Sequence, residues 1–400
     1  MLKQIIAGIS VVVLLFSVGA VWVQAEDGVT DKVIHIGQTG PLSGPAKLWG
    51  GSVKGVALRI ALENEKGGVH GRKIEHHVYD DAYNPARTKA GVKRLQERVG
   101  MFAWVGTIGT ANALAVKDYL MNRDIPWVGP FTGSDAMFDP PEEYLFTIYS
   151  PYTFEIDLLF DYAVKELGKK RVAIVYQDDS YGHTGLAGAR QALQRHDLSL
   201  VAEVPIKLKD IDMSKAVAEL RQAEADAVLI WISPFTALHL MKVAEKMNYE
   251  PQWLGSSTLS MFSVFYKLSR GLVEGLITPN FQTDDQAKLD YVRQAHDRLD
   301  PEEPFSTAYM LGFAVGDLLV EGLQRCGPDP TRQGLVKALE GINADNYQSF
   351  TKAFTYEPFD PDDPMCRLGT RELFLQQCMA GGKAKKITGW ASITDYWSQD

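Results

Sequence analysis

The sequence predicts an α/β protein of two doubly wound, parallel-sheet lobes. Short apolar runs typical of strands alternate with amphipathic runs typical of helices, the pattern of parallel sheets covered by helices on both faces. This alternation falls into two similar halves, and 400 residues are too many for one hydrophobic core. The predicted strands are 33–37, 74–79, 102–105, 126–128, 172–176, 200–204, 227–231 and 252–254. The predicted helices are one from near Gly50, then 86–98, 111–121, 154–167, 185–195, 213–224, 236–247, 285–299 and 305–326.

The first strand and helix show how these elements are recognised. Residues 33–37 form a short apolar run, and the Gly, Pro and Ser residues of 39–44 predict a loop after it. The next run, from near Gly50, has apolar residues at i, i+3 and i+4 and ends at Gly67, since glycine readily takes positive φ. Ligands of open parallel sheets bind beyond the carboxyl ends of the strands, so this loop is predicted to form one wall of a site.

A second candidate wall is the turn after the strand 102–105. Thr110 is predicted to cap the helix that follows, and the free backbone N–H groups at this end suit a carboxylate. Gly109 and Ala111 leave room for a ligand to approach the backbone. The residues alone leave a plain helix cap equally open.

Composition and motifs exclude several functions. A net charge of −9, a pI near 5.5 and the lack of a basic block argue against a nucleic-acid partner. The sequence contains no GxSxG, HExxH, Walker A or CxxC motif, so we expect neither an enzyme nor a cofactor. His76 and His77 are adjacent on a predicted strand and point to opposite faces, so we expect no metal site.

The N-terminal segment 1–25 is predicted to be a secretory signal peptide. Lys3 gives it a positive start, 9–18 is a dense apolar run, and small residues stand at the cleavage positions before and at Ala25. The wider apolar run 5–23, about 19 residues long, is borderline in length for spanning a bilayer, so a membrane anchor is the alternative. We expect an exported protein cleaved after Ala25.

All three cysteines lie in the last quarter of the chain. In an oxidising compartment two of them should pair. Cys366 and Cys378 flank a short predicted strand, which favours a local disulfide between them and leaves Cys326 as a free thiol. No histidine follows the cysteines, so zinc is not expected.

Seven motifs in order resemble one family. The chain is similar to the periplasmic solute-binding proteins of branched-chain amino-acid ABC importers, the Leu/Ile/Val-binding-protein-like group, over roughly residues 31–360. The matching motifs are GPLSG, NEKGGVHGRKIE, DDAYNP, VGTIGTANALAV, VGPFTGSD, RVAIVYQDDSYGHTG and WLGSS.

The resemblance implies the type I periplasmic binding fold, with two lobes joined by a three-crossover hinge. The N-terminal lobe would comprise 31–151 plus 279–352, and the C-terminal lobe and tail 152–278 plus 353–400. Three crossovers let the lobes open and close without free twisting. The expected function is to clamp a small-molecule ligand and deliver it to an ABC permease in the inner membrane, as a monomer. A ligand-sensing regulatory module on the same fold is the alternative.

The resemblance also assigns ligand-binding roles. Thr110 falls where the family places a serine that holds the ligand carboxylate, and Tyr181 where a tyrosine closes over the ligand from the second lobe. Ser233 replaces a family tyrosine, and Phe235 is expected to supply the ring instead. The other positions that match ligand-facing family residues are Trp49, Phe131 and Thr132.

One departure concerns the ligand. Members that bind α-amino acids have a glutamate after the WLG-like strand that pairs with the ligand ammonium, and Ser257 stands there in this chain. A buried ammonium without a charged partner costs several kcal/mol. We therefore expect a small carboxylate-type ligand: a branched-chain or aromatic amino acid, or a related amine-free acid or amide, with the amine in doubt.

Overall fold

The computed structural model describes residues 26–210, 212–352 and 354–397. The predicted signal peptide and its cleavage after Ala25 lie outside this range. Within it, no helix has the length and apolar character needed to cross a bilayer.

The first lobe is built on a five-stranded parallel sheet with the order β2-β1-β3-β4-β5. Helices fill the connections between the strands. The sequence analysis did not predict the two-residue strand β5. The elements are β1 Val33–Gly40, α1 Gly50–Glu65, β2 Lys73–Asp80, α2 Pro85–Arg98, β3 Ala103–Val105, α3 Thr110–Met121, β4 Trp127–Val128 and β5 Leu145–Phe146.

The second lobe has a larger mixed sheet. The part built from chain segments after α4 is parallel, in the order β10-β9-β8-β6-β7. Its elements are α4 Tyr152–Asp161, β6 Val172–Gln177, α5 Ser180–Gln194, β7 Ala202–Ile206, α6 Ser214–Gln222, β8 Ala227–Trp231, α7 Pro234–Lys246, β9 Gln252–Gly255, α8 Phe262–Ser269 and β10 Ile277–Asn280.

The chain then returns to the first lobe through three helices: α9 Gln286–Leu299, α10 Thr307–Cys326 and α11 Arg332–Glu340. The sequence of α10 is apolar on nearly all sides, as expected of a helix buried all round. It crosses α1 at backbone contact distance, because a Cβ on Gly55 would lie 2.0 Å from the Tyr309 carbonyl oxygen and one on Gly312 would lie 1.9 Å from that of Ser52. Glycine is therefore required at this crossing.

The tail completes the second sheet with antiparallel strands. Strand β11 (Glu372–Met379) pairs with β10, and β12 (Lys383–Lys386) and β13 (Ala391–Ser392) pair with β11, before a short helix α12 (Ile393–Trp397). The chain thus passes between the sheets three times. Single β-bridges link these passages, Thr147 with Leu368 and Gln282 with Thr351.

The predicted disulfide is not formed, and all three cysteines are free thiols. Cys366 lies in a short 3-10 helix (Pro364–Arg367) ahead of β11, whereas Cys378 is the seventh of the eight residues of β11, so the strand from Glu372 to Cys378 alone spans roughly 20 Å. A disulfide needs Cα atoms within about 7 Å. The expectation was wrong: the Cys366 thiol contacts the Asp360 carbonyl oxygen and the Cys378 thiol that of Met379, and neither contacts the other.

Candidate functional site

A narrow cavity lies between the two lobes, at the carboxyl ends of the parallel strands. Its volume is about 30 Å³, and aromatic side chains dominate its walls. None of the lining side chains is charged. The lining residues are Ala46, Trp49, Tyr83, Ile108, Gly109, Phe131, Tyr149, Tyr152, Tyr181, Ser233, Pro234 and Thr258.

The first-lobe wall is shaped by the turn before α3. Gly109 has a φ of +97°, and a Cβ there would lie 2.4 Å from the ring of Tyr83. Tyr83 reaches across the cavity to hydrogen-bond Gln177 at the end of β6, and burial raises its pKa. The two lobes are therefore in contact in this closed arrangement.

Gly109, not Thr110, is the residue that caps α3. Thr110 is the first helical residue, and no side chain among the described residues caps this end. The Thr110 hydroxyl instead forms a buried hydrogen bond of 2.8 Å with that of Thr132. The first N–H groups of α3 thus remain available as donors beside Gly109, which lines the cavity. Ala111, at the second helical position, is partly exposed.

Aromatic rings from both lobes form one continuous cluster around the cavity. The ring of Tyr152 lies 5.5 Å from that of Tyr181 and 5.2 Å from that of Trp231, measured between centroids. Tyr149 contacts Tyr152 at 5.7 Å and Trp49 at 6.4 Å. The three pairs that Tyr152 forms are edge-to-face, an arrangement that favours defined ring orientations, and the walls are apolar.

The second-lobe wall is held by hydroxyl groups. The Tyr181 hydroxyl lies 2.7 Å from the Ser256 hydroxyl and 3.0 Å from that of Thr258. Ser233 hydrogen-bonds Thr236 through its hydroxyl, and its backbone N–H donates to Gln177. These bonds orient Tyr181 toward the cavity and satisfy its hydroxyl without a charged group.

A buried carboxylate lies behind this wall, next to Ser257. The Ser257 hydroxyl and backbone N–H donate to the two oxygens of Glu155, at 2.6 and 3.1 Å, and the Ser257 hydroxyl also lies 2.8 Å from that of Tyr149. Burial raises the pKa of Glu155 to about 8, although the hydrogen bonds from Ser257 oppose the shift. Within the described parts of the chain, no Lys, Arg or His forms an ion pair with it. The wall at Ser257 is therefore backed by an acid that is mostly protonated at pH 7.

The structure brings together half of the residues proposed from the sequence. Those that line the cavity are Trp49, Gly109, Phe131, Tyr181 and Ser233. Thr110, Thr132 and Ser257 lie one contact behind the lining. Phe235 does not supply the expected ring, because α7 turns it outward, where it is exposed beside Leu238 and Leu268 in a different depression.

The sequence analysis missed several lining residues and Glu155. Tyr83 lies in the DDAYNP motif, and Tyr149 and Tyr152 lie in the first crossover between the lobes. Crossover segments border the cleft of a two-lobed protein, so the position of Tyr149 and Tyr152 in a crossover could have predicted that they line the cavity. Nothing in the sequence around Glu155 distinguishes it from other helical glutamates.

The chain belongs to the periplasmic binding protein family. The family described as "Periplasmic binding protein" matches residues 33–364. Among curated relatives, the Leu/Ile/Val-binding protein homolog 3 of Brucella melitensis is 25% identical over 312 residues, which are 76% of this chain and 83% of that protein. The resemblance inferred from the motifs is thus confirmed.

Solved structures confirm the two-lobed α/β fold. A branched-chain amino acid ABC transporter protein from Thermus thermophilus with bound valine superposes with a TM-score of 0.82 at 18% identity, covering 92% of this chain and 99% of that one. A solute-binding protein from R. palustris in complex with benzoate gives a TM-score of 0.78 at 19% identity, covering 90% and 96%. The family comprises solute-binding proteins rather than enzymes, and its members are periplasmic.

Proposed function

We propose that this protein is the extracytoplasmic solute-binding component of an ABC importer. It closes its lobes around a small carboxylate with an apolar body and delivers that ligand to a permease in the inner membrane. The observation that carries the proposal is the cavity between the lobes, with uncharged aromatic walls next to the free N–H groups of α3. A protein with this geometry binds its ligand by hinge closure.

The walls match the two parts of such a ligand. Backbone N–H groups at a helix N-terminus bind a carboxylate without a positive side chain, because the donors point outward and the helix dipole favours negative charge. The rings of Trp49, Phe131 and Tyr152 suit an aromatic or branched body. A volume of about 30 Å³ is too small for any such ligand, so binding requires the lobes to part and close again around it.

Bound valine and benzoate in the two structural neighbours support a carboxylate ligand and leave its amine undecided. The uncharged lining favours an amine-free acid, because an ammonium in the cavity would need a charged partner. We infer an aromatic or branched amine-free carboxylate as the ligand class.

Glu155 favours a second candidate, an α-amino acid. Ser257 itself supplies no acid, but Glu155 brings a carboxyl group next to it from another element. An ammonium that reached it would shift the acid to its charged form and release a proton, because the free acid is mostly protonated at pH 7.

Calorimetry with matched ligand pairs tests the proposal. Phenylpropionate and phenylalanine, and 4-methylvalerate and leucine, differ chiefly in the amine. We expect the amine-free acids to bind more tightly, with no proton release when the titration is repeated in buffers of different ionisation enthalpy, and with unchanged affinity in Glu155→Gln.

Tighter binding of the amino acid, with about one proton released and with loss of affinity in Glu155→Gln, would replace the first ligand class by the second. Failure of all four acids, and of benzoate, to bind would contradict the carboxylate assignment itself. Delivery is tested by uptake: deletion of the gene should abolish transport of the ligand, which a sensor would leave intact.

A further inference from the structure

A second group of functional side chains lies on the first sheet, away from the cavity. His35 of β1 and Glu75 and His77 of β2 converge there. The His35 Nδ1 atom lies 3.0 Å from the His77 Nε2 atom, and one Glu75 oxygen lies 3.2 Å from the former and 3.9 Å from the latter. We propose that these three side chains form a binding site for a divalent transition-metal ion of the Zn²⁺ type.

The parallel register places the three side chains on one face of the sheet. His35 is paired with Glu75, and Gly37 with His77, so alternate residues of the two strands point the same way. The adjacent His76 points to the other face, where it hydrogen-bonds Gln38. His76 and His77 thus point to opposite faces, as predicted, and the second imidazole of the proposed site comes from the neighbouring strand.

The distances suit a metal ion. A tetrahedral ion with bonds of about 2.1 Å holds two ligand atoms about 3.4 Å apart. The three observed separations of 3.0, 3.2 and 3.9 Å bracket this value, so small side-chain rotations are enough. Two imidazoles and a carboxylate are the donors that Zn²⁺, Cu²⁺ and Ni²⁺ accept, unlike Ca²⁺ or Mg²⁺.

The surroundings leave the ligands oriented and accessible. The side chains of His35 and His77 are only 19% and 20% exposed, so packing limits their rotation, whereas Glu75 is 55% exposed. Strand β2 is the edge of its sheet, which leaves a coordination position open to solvent. Among the described residues, the ion-pair partners of Glu75 are the two histidines, so no Lys or Arg competes for its carboxylate.

Binding would join β1 to β2 near the start of the strands. Gly40 ends β1 beside the cavity loop and lies roughly 16 Å from His35 along the strand. The site is thus separate from the cavity, and its occupation is not required for the proposed transport function. Since the ligands converge only in the folded protein, a bound ion should stabilise it by RT ln(1 + [L]/Kd).

Zinc titration of the untagged, chelator-treated protein tests the proposal. We expect one Zn²⁺ per chain by calorimetry, a Zn²⁺-dependent rise in Tm that EDTA reverses, and a visible absorption band of four- or five-coordinate geometry with Co²⁺. His77→Ala and His35→Ala should each weaken binding about tenfold or more. Loss of a residue that only supports a metal ligand already costs about tenfold to 100-fold.

Two variants keep the test decisive. Glu75→Gln changes an exposed edge residue, so it should fold normally while weakening binding. His239→Ala removes an exposed histidine elsewhere and should leave Zn²⁺ affinity unchanged. Wild-type affinity in His77→Ala and in Glu75→Gln, or no saturable binding at all, would overturn the proposal. Carboxylate binding in the cavity should be the same in all these variants. Failure of the metal-site proposal can therefore be distinguished from failure of the proposed function.

Discussion

The two polar regions next to the cavity differ in whether they contain an ionisable group. At one end, Thr110 and Thr132 share a neutral hydrogen bond beside free N–H groups of α3. At the other, Ser257 and Tyr149 surround the buried carboxyl group of Glu155. The first region offers donors to an anion, whereas the second holds an acid that can lose a proton. Under the proposed function, the first end would bind the ligand carboxylate and the second would determine whether an amine is accepted.

The largest effect that separates the two ends should come from Glu155→Gln. Burial raises the pKa of Glu155 from 4.5 to about 8, so its contribution to stability is fully present below about pH 4.5 and is lost as the pH rises toward 8. Relative to the variant, the wild-type protein should lose about 1.4 kcal/mol of unfolding free energy per pH unit within this window. Urea unfolding at several pH values measures the difference.

The exposed helix-end residue Glu166 provides the control for that experiment. Glu166→Gln should give a stability profile parallel to that of the wild-type protein. If the stability profile of Glu155→Gln also runs parallel to that of the wild-type protein, Glu155 is ionised in the folded protein at neutral pH. The second end of the cavity would then be permanently charged.

A smaller effect is expected at the neutral end. The Thr110 hydroxyl would have to turn from Thr132 to reach a ligand carboxylate. If it does so, Thr110→Ala should weaken carboxylate binding by about 1.5 to 3 kcal/mol, the range for a hydrogen bond to a charged group. Thr110→Ser keeps the hydroxyl and should retain most of the affinity. If calorimetry finds unchanged affinity in Thr110→Ala while its Tm falls, the Thr110–Thr132 pair is structural and only the backbone of α3 contacts the ligand.

The smallest effect should come from Tyr149→Phe, which removes the hydroxyl next to Ser257. Loss of this buried hydrogen bond should cost about 0.5 to 1.5 kcal/mol of stability. It should also move the pH window of Glu155 upward, because the Tyr149 hydroxyl supports the serine that donates to the carboxylate.

Tyr356→Phe is the matched control, since Tyr356 is a buried tyrosine that donates to the Thr147 carbonyl. It should lower stability by a similar amount without moving the pH window. Identical pH profiles for both variants would show that Tyr149 has no influence on the acid.

The sequence predicted most of the sheet elements and the first-lobe wall, because these depend on local patterns. Apolar runs followed by glycine-rich turns located β1, β3 and the cavity loops that contain Trp49 and Gly109. The predicted disulfide and the predicted role of Phe235 failed, because both depend on the path of the chain beyond a single element. Cys366 lies in a 3-10 helix and Cys378 near the end of β11, and Phe235 is directed outward by the start of α7.

What the sequence determined by itself is the α/β alternation in two lobes, the family and the carboxyl-end loops of the site, since periodicity and turn residues act over short distances. Only the tertiary structure decided which distant side chains meet. Glu155 reaches Ser257 from another element, 102 residues away along the chain, and His35 meets His77 through the pairing of β1 with β2. Such contacts depend on packing and register, which bring residues together without any spacing signal in the chain.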